Sequence, residues 1–263
     1  MPGQQKIGNS HAEADNAPAT GRVQAIDRAF TLLRELSSPP FRATALELSK
    51  QVGLDRTTVH RLLKTLLHWG MVQADDGVYS LGAESLLFAT ANASQLGIRR
   101  AALPFAVELQ EKVLKGLSAL VSISVPVSDK VIIVERVWTP LTPMNVIVDI
   151  GNHFPIDESA SGTAILSTYP AAMAIAAIGK RRHDKVLPVL KRIREAGGLS
   201  ASVSQYKQGL GALAHPFSGR DDVAVGAIVV AGIDMTDELQ PDSPLGRHLQ
   251  RACQSISVAL KRG

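Results

Sequence analysis

Residues 54–72 read LDRTTVHRLLKTLLHWGMV, and Arg56, Thr57, His60, Arg61, Lys64 and His68 recur there on one side of a helical repeat. Val59, Leu62, Leu63, Leu66 and Leu67 fill the other side, so the stretch reads as an amphipathic helix with a basic, donor-rich outer face. Most charged faces are simply solvated. The chemistry this one permits is DNA recognition. Arginine pairs bidentately with guanine, threonine hydrogen-bonds a base edge or touches a thymine methyl, and lysine meets phosphate.

A second group lies at Ser159-Ala160-Ser161-Gly162-Thr163, preceded by Asp157-Glu158. Small residues opening a helix leave backbone N–H groups accessible, which suits the polar end of a small ligand. Asp157 reads either as a charge at the rim of such a site or as a helix cap. Hydrolytic chemistry by His153, Asp157 and Ser159 or Ser161 is disfavoured: there is no G-x-S-x-G elbow, and triads are not assembled from adjacent sequence positions. His153, Asp157, Glu158 and His215 are metal-ligand types, but a metal is not expected, and His215 beside Pro216 reads as a core residue. The single cysteine, Cys253, excludes an internal disulfide and any multi-cysteine zinc site, and reads as core packing.

These groups need elements to position them. A length of 263 residues suits two modest domains. Residues 1–20 are polar and alanine-rich, without the apolar core of a signal peptide, and read as a mobile tail. No apolar run is long enough to span a membrane, AAMAIAAIG (171–179) included. A cytoplasmic protein is expected.

Between Gly21 and Ala83 the pattern is three short helices and a hairpin. The first, about Val23 to Leu36, carries the stripe Ile26, Ala29, Phe30, Leu33 and Leu36 and stops at Ser37-Ser38-Pro39-Pro40. The second opens on the capping box Thr44-Ala45-Leu46-Glu47 and ends near Val52, with Gly53 supplying the turn. Asp55 is placed to cap the third. Met71–Ala74 and Val78–Leu81 read as strands around Asp75-Asp76-Gly77. Together these make a winged helix-turn-helix, mainly α, over 21–82.

A linker helix is expected over 83–98 and a further helix from about Pro104 to Lys115, with the proline in its first turn. Residues 99–263 then mix strands (118–127, 131–137, 145–150, 211–217 and 223–233) with helices near Ser159–Leu166, Asp184–Arg194 and Pro244–Leu260. This predicts an α+β domain on a largely antiparallel sheet, and hence a two-domain α/β chain. Lys180, Arg181 and Arg182 read as a solvated loop.

The chain resembles the IclR family of bacterial transcriptional regulators. The resemblance is carried by RVQAIDRAFTLLREL, ALELSKQVGLDRTTVHRLLKTLLHWGMV and GVYSLG at the front, and by PIDESASGTAIL (155–166) and GLGALAHPF (209–217) behind. It implies a GAF-like effector domain, a homodimer and dimer of dimers, and binding to a double-stranded DNA operator tuned by a small organic effector. Recognition helices lead with their N-terminal turns. Arg56, Thr57, Thr58, His60 and Arg61 are therefore candidates for base contacts, Lys64 and Thr65 for phosphate, and Arg42, Thr44 and Ser80 for flanking contacts.

Between Gly21 and Ala83 eight Lys or Arg face six Asp or Glu, with Asp75-Asp76 at the wing tip. Affinity should therefore depend on several heads binding at once.

By resemblance the effector site lies at Asp157, Ser159, Ala160, Ser161 and Gly162, opposite Leu210, Gly211, Ala212, Val229 and Ala231. Where relatives commonly carry His-Ala, this chain has Asp157-Glu158. It has Ser204-Gln205 where they carry an acidic pair, and Val229 and Ala231 where some offer hydroxyls. An apolar or aromatic effector, neutral or basic, is expected, with no cofactor, in control of a catabolic operon. The alternatives are an enzyme with an appended DNA-binding head, and a DNA-binding module that needs no effector.

Overall fold

A computed structural model of the chain describes residues 21, 23–38, 40–88, 97–203 and 209–262. The chain divides into two compact units, residues 1–92 and 93–263. The N-terminal tail, positions 89–96 of the expected linker helix and Ser204-Gln205 lie outside the described residues; residues 84–88 are helical.

In the first unit α1 (Gln24–Leu36), α2 (Ala45–Val52) and α3 (Arg56–His68) pack beside strands β1 (Arg42–Thr44), β2 (Val72–Asp75) and β3 (Val78–Leu81). The strands form an antiparallel sheet in the order β1-β3-β2. Asp75 pairs with Val78, leaving a two-residue loop, Asp76 and Gly77, with φ of 46° and 75°. Positive φ at both central positions is the turn whose twist matches a hairpin. Leu32, Leu36, Leu48, Val59, Leu63 and Val72 form the core.

Two expectations shift. The buried stripe of α1 is Leu32 and Leu36, flanked by Ala29 and Leu33, whereas Ile26 and Phe30 are 54% and 61% exposed. So small a unit covers only one side of α1. Strand β1 is also new: three residues give too little periodicity to reveal it, and β3 supplies its hydrogen bonds.

The second unit is built on a six-stranded, wholly antiparallel sheet. Its strands are β4 (Ala119–Val127), β5 (Lys130–Val137), β6 (His153–Pro155), β7 (Ser200–Val203), β8 (Leu210–Ser218) and β9 (Ala224–Ile233), in the order β6-β5-β4-β9-β8-β7. Helix α4 (Ile98–Glu108), a π-helical turn (Leu109–Val113) and the C-terminal α8 (Pro244–Arg262) cover one face. On the other lies α5 (Ala160–Thr168), backed by α6 (Ala171–Ile178) and α7 (Lys180–Glu195). The α+β, GAF-like architecture is as expected.

Within it, several local expectations fail for long-range reasons. Residues 145–150 are not a strand, because the free edge of β5 is occupied by the segment ending in β6: Gly151 donates to Ile133 O at 2.8 Å, and Ile133 to Asn152 O at 2.9 Å. Helix α4 begins six residues before Pro104, so the proline sits inside it rather than in its first turn. Pro104 is on the exposed side, where its missing N–H leaves no buried carbonyl. Helix α7 starts at Lys180, so the basic triplet is helical and not a loop.

Cys253 is fully buried, and burial pushes its thiol up to about 12. Thiolate is the reactive form. We expect no labelling by a thiol reagent at pH 8 in the native protein and stoichiometric labelling in denaturant. Rapid native labelling would contradict this packing.

Candidate nucleic-acid interface and effector site

The face of α3 is positioned by two caps. Thr44 accepts from Glu47 N at 3.2 Å, and Glu47 Oε2 accepts from Thr44 N at 2.7 Å, completing the capping box of α2. Gly53 then takes the left-handed conformation, φ 67°, that turns the chain toward α3. Asp55 caps α3 by accepting from Thr58 N at 2.8 Å. Val59, Leu63 and Leu66 are buried, which rotates Arg56, Thr57, His60, Arg61, Lys64 and Thr65 outward.

That outward face has two parts. Thr58, Arg61, Lys64, Thr65 and His68 line an open groove shared with Gln24, Ala25 and Arg28 of α1. Arg56, Thr57 and His60 lie outside it. Sequence periodicity did not single out Arg28, because its position is set by how α1 packs across α3. Arg42, Ser80 and Gln73 form one cross-strand row on the wing, and Gln73 Nε2 donates to Ser80 Oγ at 3.1 Å. The Thr44 hydroxyl is committed to Glu47, to which it donates at 2.8 Å.

Hydrogen bonds from Thr44 hold the Glu47 carboxyl below its usual range, and those from Thr58 do the same for Asp55. Both groups have depressed folded-state pKa values. Their contribution is therefore present above the unfolded values, about 4.3 for Glu and 3.9 for Asp, and is lost as pH falls through the folded ones. Helicity of the first unit should soften below about pH 4, and Glu47→Gln with Asp55→Asn should flatten that step in circular dichroism. An unaltered acid transition in the double variant would contradict the assignment.

In the second unit alternation along the strands selects one sheet face. Leu120 of β4 pairs with Ala231, which pairs with Ala212. Ser122 pairs with Val229, which pairs with Ala214, and on its other side with Arg136. Ala160 and Ala164 of α5 pack on Ala212, Ala214 and Val229. Ser159, Ala160, Ser161 and Gly162 are thus brought opposite Ala212, Val229 and Ala231, with Leu210 in the same alternation. Gly211 is not brought there. It faces the other side, where a Cβ would stand 2.7 Å from Leu239 Cδ1.

Ser159, not Asp157, caps α5, accepting from Gly162 N at 3.1 Å. One of the N–H groups expected to be available to a ligand is therefore taken. Asp157 instead binds the Arg182 guanidinium through both oxygens, and Arg182 Nη1 reaches Asp129 at 3.1 Å. The reading of Arg182 as solvated is corrected. Asp157 is therefore not a free carboxylate at the rim, although one guanidinium between two carboxylates leaves the group formally at −1.

Sequence reasoning also passed over Ser122, Ser124 and Arg136. The serines are 3% and 2% exposed, on the α5 side of β4. Their alternation in SALVSISVPV predicts a strand with two unlike faces but not what covers each. Arg136, on the same side, donates to Val148 O and to Asp149 Oδ1 at 2.8 Å, tying down the 138–152 loop.

His153, on β6, has its pKa lowered, first by burial and then by Lys130. His215 is buried with Nδ1 2.7 Å from Pro216 O and Nε2 3.0 Å from Gly197 O; both partners are carbonyl oxygens, so the neutral ring that burial favours donates to one of them only. Among the described residues no three His, Cys, Asp or Glu side chains stand together as a metal site, and no helix is long and apolar enough to cross a membrane.

Comparison with known proteins matches residues 25–76 to the IclR helix-turn-helix domain and residues 90–258 to the bacterial transcriptional regulator IclR C-terminal domain. A glycerol operon regulatory protein of Streptomyces coelicolor is 28% identical over 91% of this chain and 96% of its own. The Escherichia coli transcriptional repressor IclR is 28% identical over 57% of this chain and 55% of its own.

Among solved structures, an IclR family transcriptional regulator from Brucella abortus superposes with a TM-score of 0.74 at 21% identity, covering 91% of this chain and 93% of that one. An IclR homologue from Microbacterium hydrocarbonoxydans complexed with 4-hydroxybenzoate gives 0.70 at 18% identity, covering 91% and 100%.

Proposed function

The chain belongs to the IclR family of bacterial transcriptional regulators, and from that premise we propose that it is a cytoplasmic repressor of a catabolic operon, released from or retained on its operator by a small aromatic molecule. The observation that carries the reading is the outward face of α3, held by two caps and backed by a separate core, which presents Arg56, Thr57 and His60 from the leading turns. Arg61, Lys64 and Thr65, with Arg28 across the groove, are assigned to phosphate. Arg42 and Ser80 meet the backbone from the wing. Thr44 acts through the capping box rather than by touching DNA.

The effector is assigned to the side of the sheet under α5. Ala212, Val229 and Ala231 form an apolar floor that suits an aromatic ring, while the Ser161, Ser122 and Ser124 hydroxyls supply polarity. The relative complexed with 4-hydroxybenzoate supports the same ligand class. With Asp157 paired to Arg182 the case against an anionic effector weakens without vanishing, because Asp129 shares the same guanidinium and Glu158 stays exposed; aromatic acids are therefore tested beside neutral and basic aromatics.

Assembly is proposed as a homodimer and dimer of dimers. Val23 at the N-cap of α1, Ile26 and Phe30 within it, and Leu86, Leu87 and Phe88 are large apolar residues left more than half exposed. The effector acts by linkage: binding one arrangement of the assembly better shifts operator affinity by the same factor that DNA shifts effector affinity.

The test uses a duplex enriched from a random library by the full-length protein. Aromatic acids, neutral aromatics, aromatic amines and short aliphatic acids are screened by thermal shift, and each stabilising compound is then titrated into the protein–DNA complex. An aromatic compound that raises the melting temperature, changes duplex affinity at least about fivefold and is recovered unchanged is the expected result. Response only to aliphatic acids would overturn the ligand class; turnover of the compound would favour an enzyme.

A further inference from the structure

Positive charge is concentrated away from the helix that reads DNA. Residues 1–92 contain nine Lys or Arg and nine Asp or Glu, so the first unit carries no net charge. The chain as a whole is at +4. Helix α7 alone has seven basic residues (Lys180, Arg181, Arg182, Lys185, Lys191, Arg192 and Arg194) against Asp184 and Glu195. One helix of the second unit therefore holds more than the chain's entire positive excess.

The placement of those charges separates structural from available ones. Arg182 is spent on Asp157 and Asp129, and Arg194 Nε donates to Ser167 O at 2.7 Å. Lys180 stands 3.6 Å from Asp184. Arg181, Lys185, Lys191 and Arg192 are exposed and make no ion pair among the described residues. Arg181, Lys185 and Arg192, at i, i+4 and i+11, fall on one side of the helix within about 40° and span about 16 Å along its axis. The residue between them on that side is Pro188, also exposed. The opposite side is pinned by buried Val186, Leu190 and Ile193, so the basic side is fixed outward.

Arg181, Lys185 and Arg192 repel one another, and the two acids of the helix, Asp184 and Glu195, fall about 60° and 40° to one side of Arg181 rather than between them. The partner that removes this cost is a regularly spaced polyanion, and the family's own ligand is one. Along duplex DNA each strand offers a phosphate about every 3.4 Å of helix axis while winding away from a straight line, so three charges spread over about 16 Å engage at most about three phosphates. We propose that the outer face of α7, through Arg181, Lys185 and Arg192, binds the phosphate backbone of duplex DNA flanking the operator. The electroneutral first unit then supplies sequence selection, and the second unit supplies much of the non-specific electrostatic attraction. The proposal rests on α3 being the operator reader.

The experiment uses the full-length protein and two duplexes: a core of about 20 bp enriched by that protein from a random library, and the same core extended by about one and a half helical turns of random sequence on each side. Affinity is measured between 50 and 200 mM salt for the wild type and for R181E/K185E/R192E. For the wild type the extended duplex should bind roughly tenfold tighter at the low-salt end, with a salt dependence steeper by about 0.9 per phosphate engaged. The triple variant should lose that gain and keep core affinity within about twofold.

An equal gain from the flanks in both proteins overturns the proposal, as it would if the face docks an acidic protein instead. So does a wild type indifferent to the flanks. The proposal fails likewise if the variant's core affinity falls as far as its extended-duplex affinity. Failure of the underlying DNA-reading assignment would look different: no enriched core, or a core unaffected by Arg56→Ala. Lys→Gln and Arg→Gln replacements at the same three positions control for folding, and should lose most of the gain with an unchanged melting temperature.

Discussion

Arg56→Ala is expected to lower operator affinity by about 1–3 kcal/mol for each bound head, the range for losing a good bidentate base contact. Two heads of a dimer on a two-fold site would then lose roughly 30-fold at the low end. Its side chain is exposed in the first turn of α3 and outside the groove shared with α1, so removal leaves no cavity and should not move the melting temperature. Arg61→Ala should behave differently although it lies on the same helix. Standing in the groove beside Lys64 and across from Arg28, it is assigned to phosphate, so its loss should weaken all sequences alike and reduce the salt slope by about 1 per head. The paired measurement is base preference in a selected library together with the salt slope. Interchanged signatures would reverse the two roles, and unchanged affinity in both variants would remove α3 as the reader. Neither change should alter effector affinity of the free protein.

Gly162→Ala is expected to be the most disruptive single methyl in the second unit. A Cβ at this position would lie 2.2 Å from Ile156 O and 2.5 Å from Ile156 Cα, backbone atoms that no rotamer change can move. Ile156 is itself fully buried and donates from its N–H to Asp129 O at 3.0 Å. Relieving the clash means sliding α5 away from the 155–159 turn, which strains the Ser159 cap and the Arg182 link to Asp157 together. Overpacking of this kind costs about 1–3 kcal/mol, and the rigidity of both partners puts it at or above the upper end. For a unit of this size that corresponds to a fall in melting temperature of roughly 6–12 °C. Effector response should be lost in step, since the displaced helix carries Ser161 and is capped by Ser159. Ser161→Ala, which adds nothing, should leave the melting temperature within about 2 °C and affect only ligand affinity. A Gly162→Ala protein as stable as the wild type would show that α5 does not rest on Ile156 as described.

The two predictions differ in how legible their sites were. The reading head could be seen in the chain because its determinants are local. Thr44 and Glu47 are three residues apart, Asp55 caps a helix that begins one residue later, and Gly53 supplies a turn between two clear helical periods. Such features act over one turn of backbone, and a tertiary context this small has little power to override them. The second unit was legible only as a class. Alternation revealed most of its strands, yet a repeating pattern states only that two faces differ, not what covers each.

The sequence by itself determined the two-part organisation, the family, the helix-turn-helix with its caps, and the residues of α3 that can face outward. Only the tertiary structure decided which partners distant residues take. Arg182 meets Asp157 and Asp129, 25 and 53 positions away, and so pairs a carboxylate that its sequence neighbours leave unpartnered. Gly211 turns from the α5 side while Ser122 and Arg136 turn toward it, a consequence of strand register. Residues 151–155 claim the edge of β5 and leave 145–150 without a strand to pair with. The physical reason is common to all three. Caps and turns are satisfied within a few residues, whereas ion pairs, sheet faces and strand edges are allotted by competition among segments that the chain brings together only on folding.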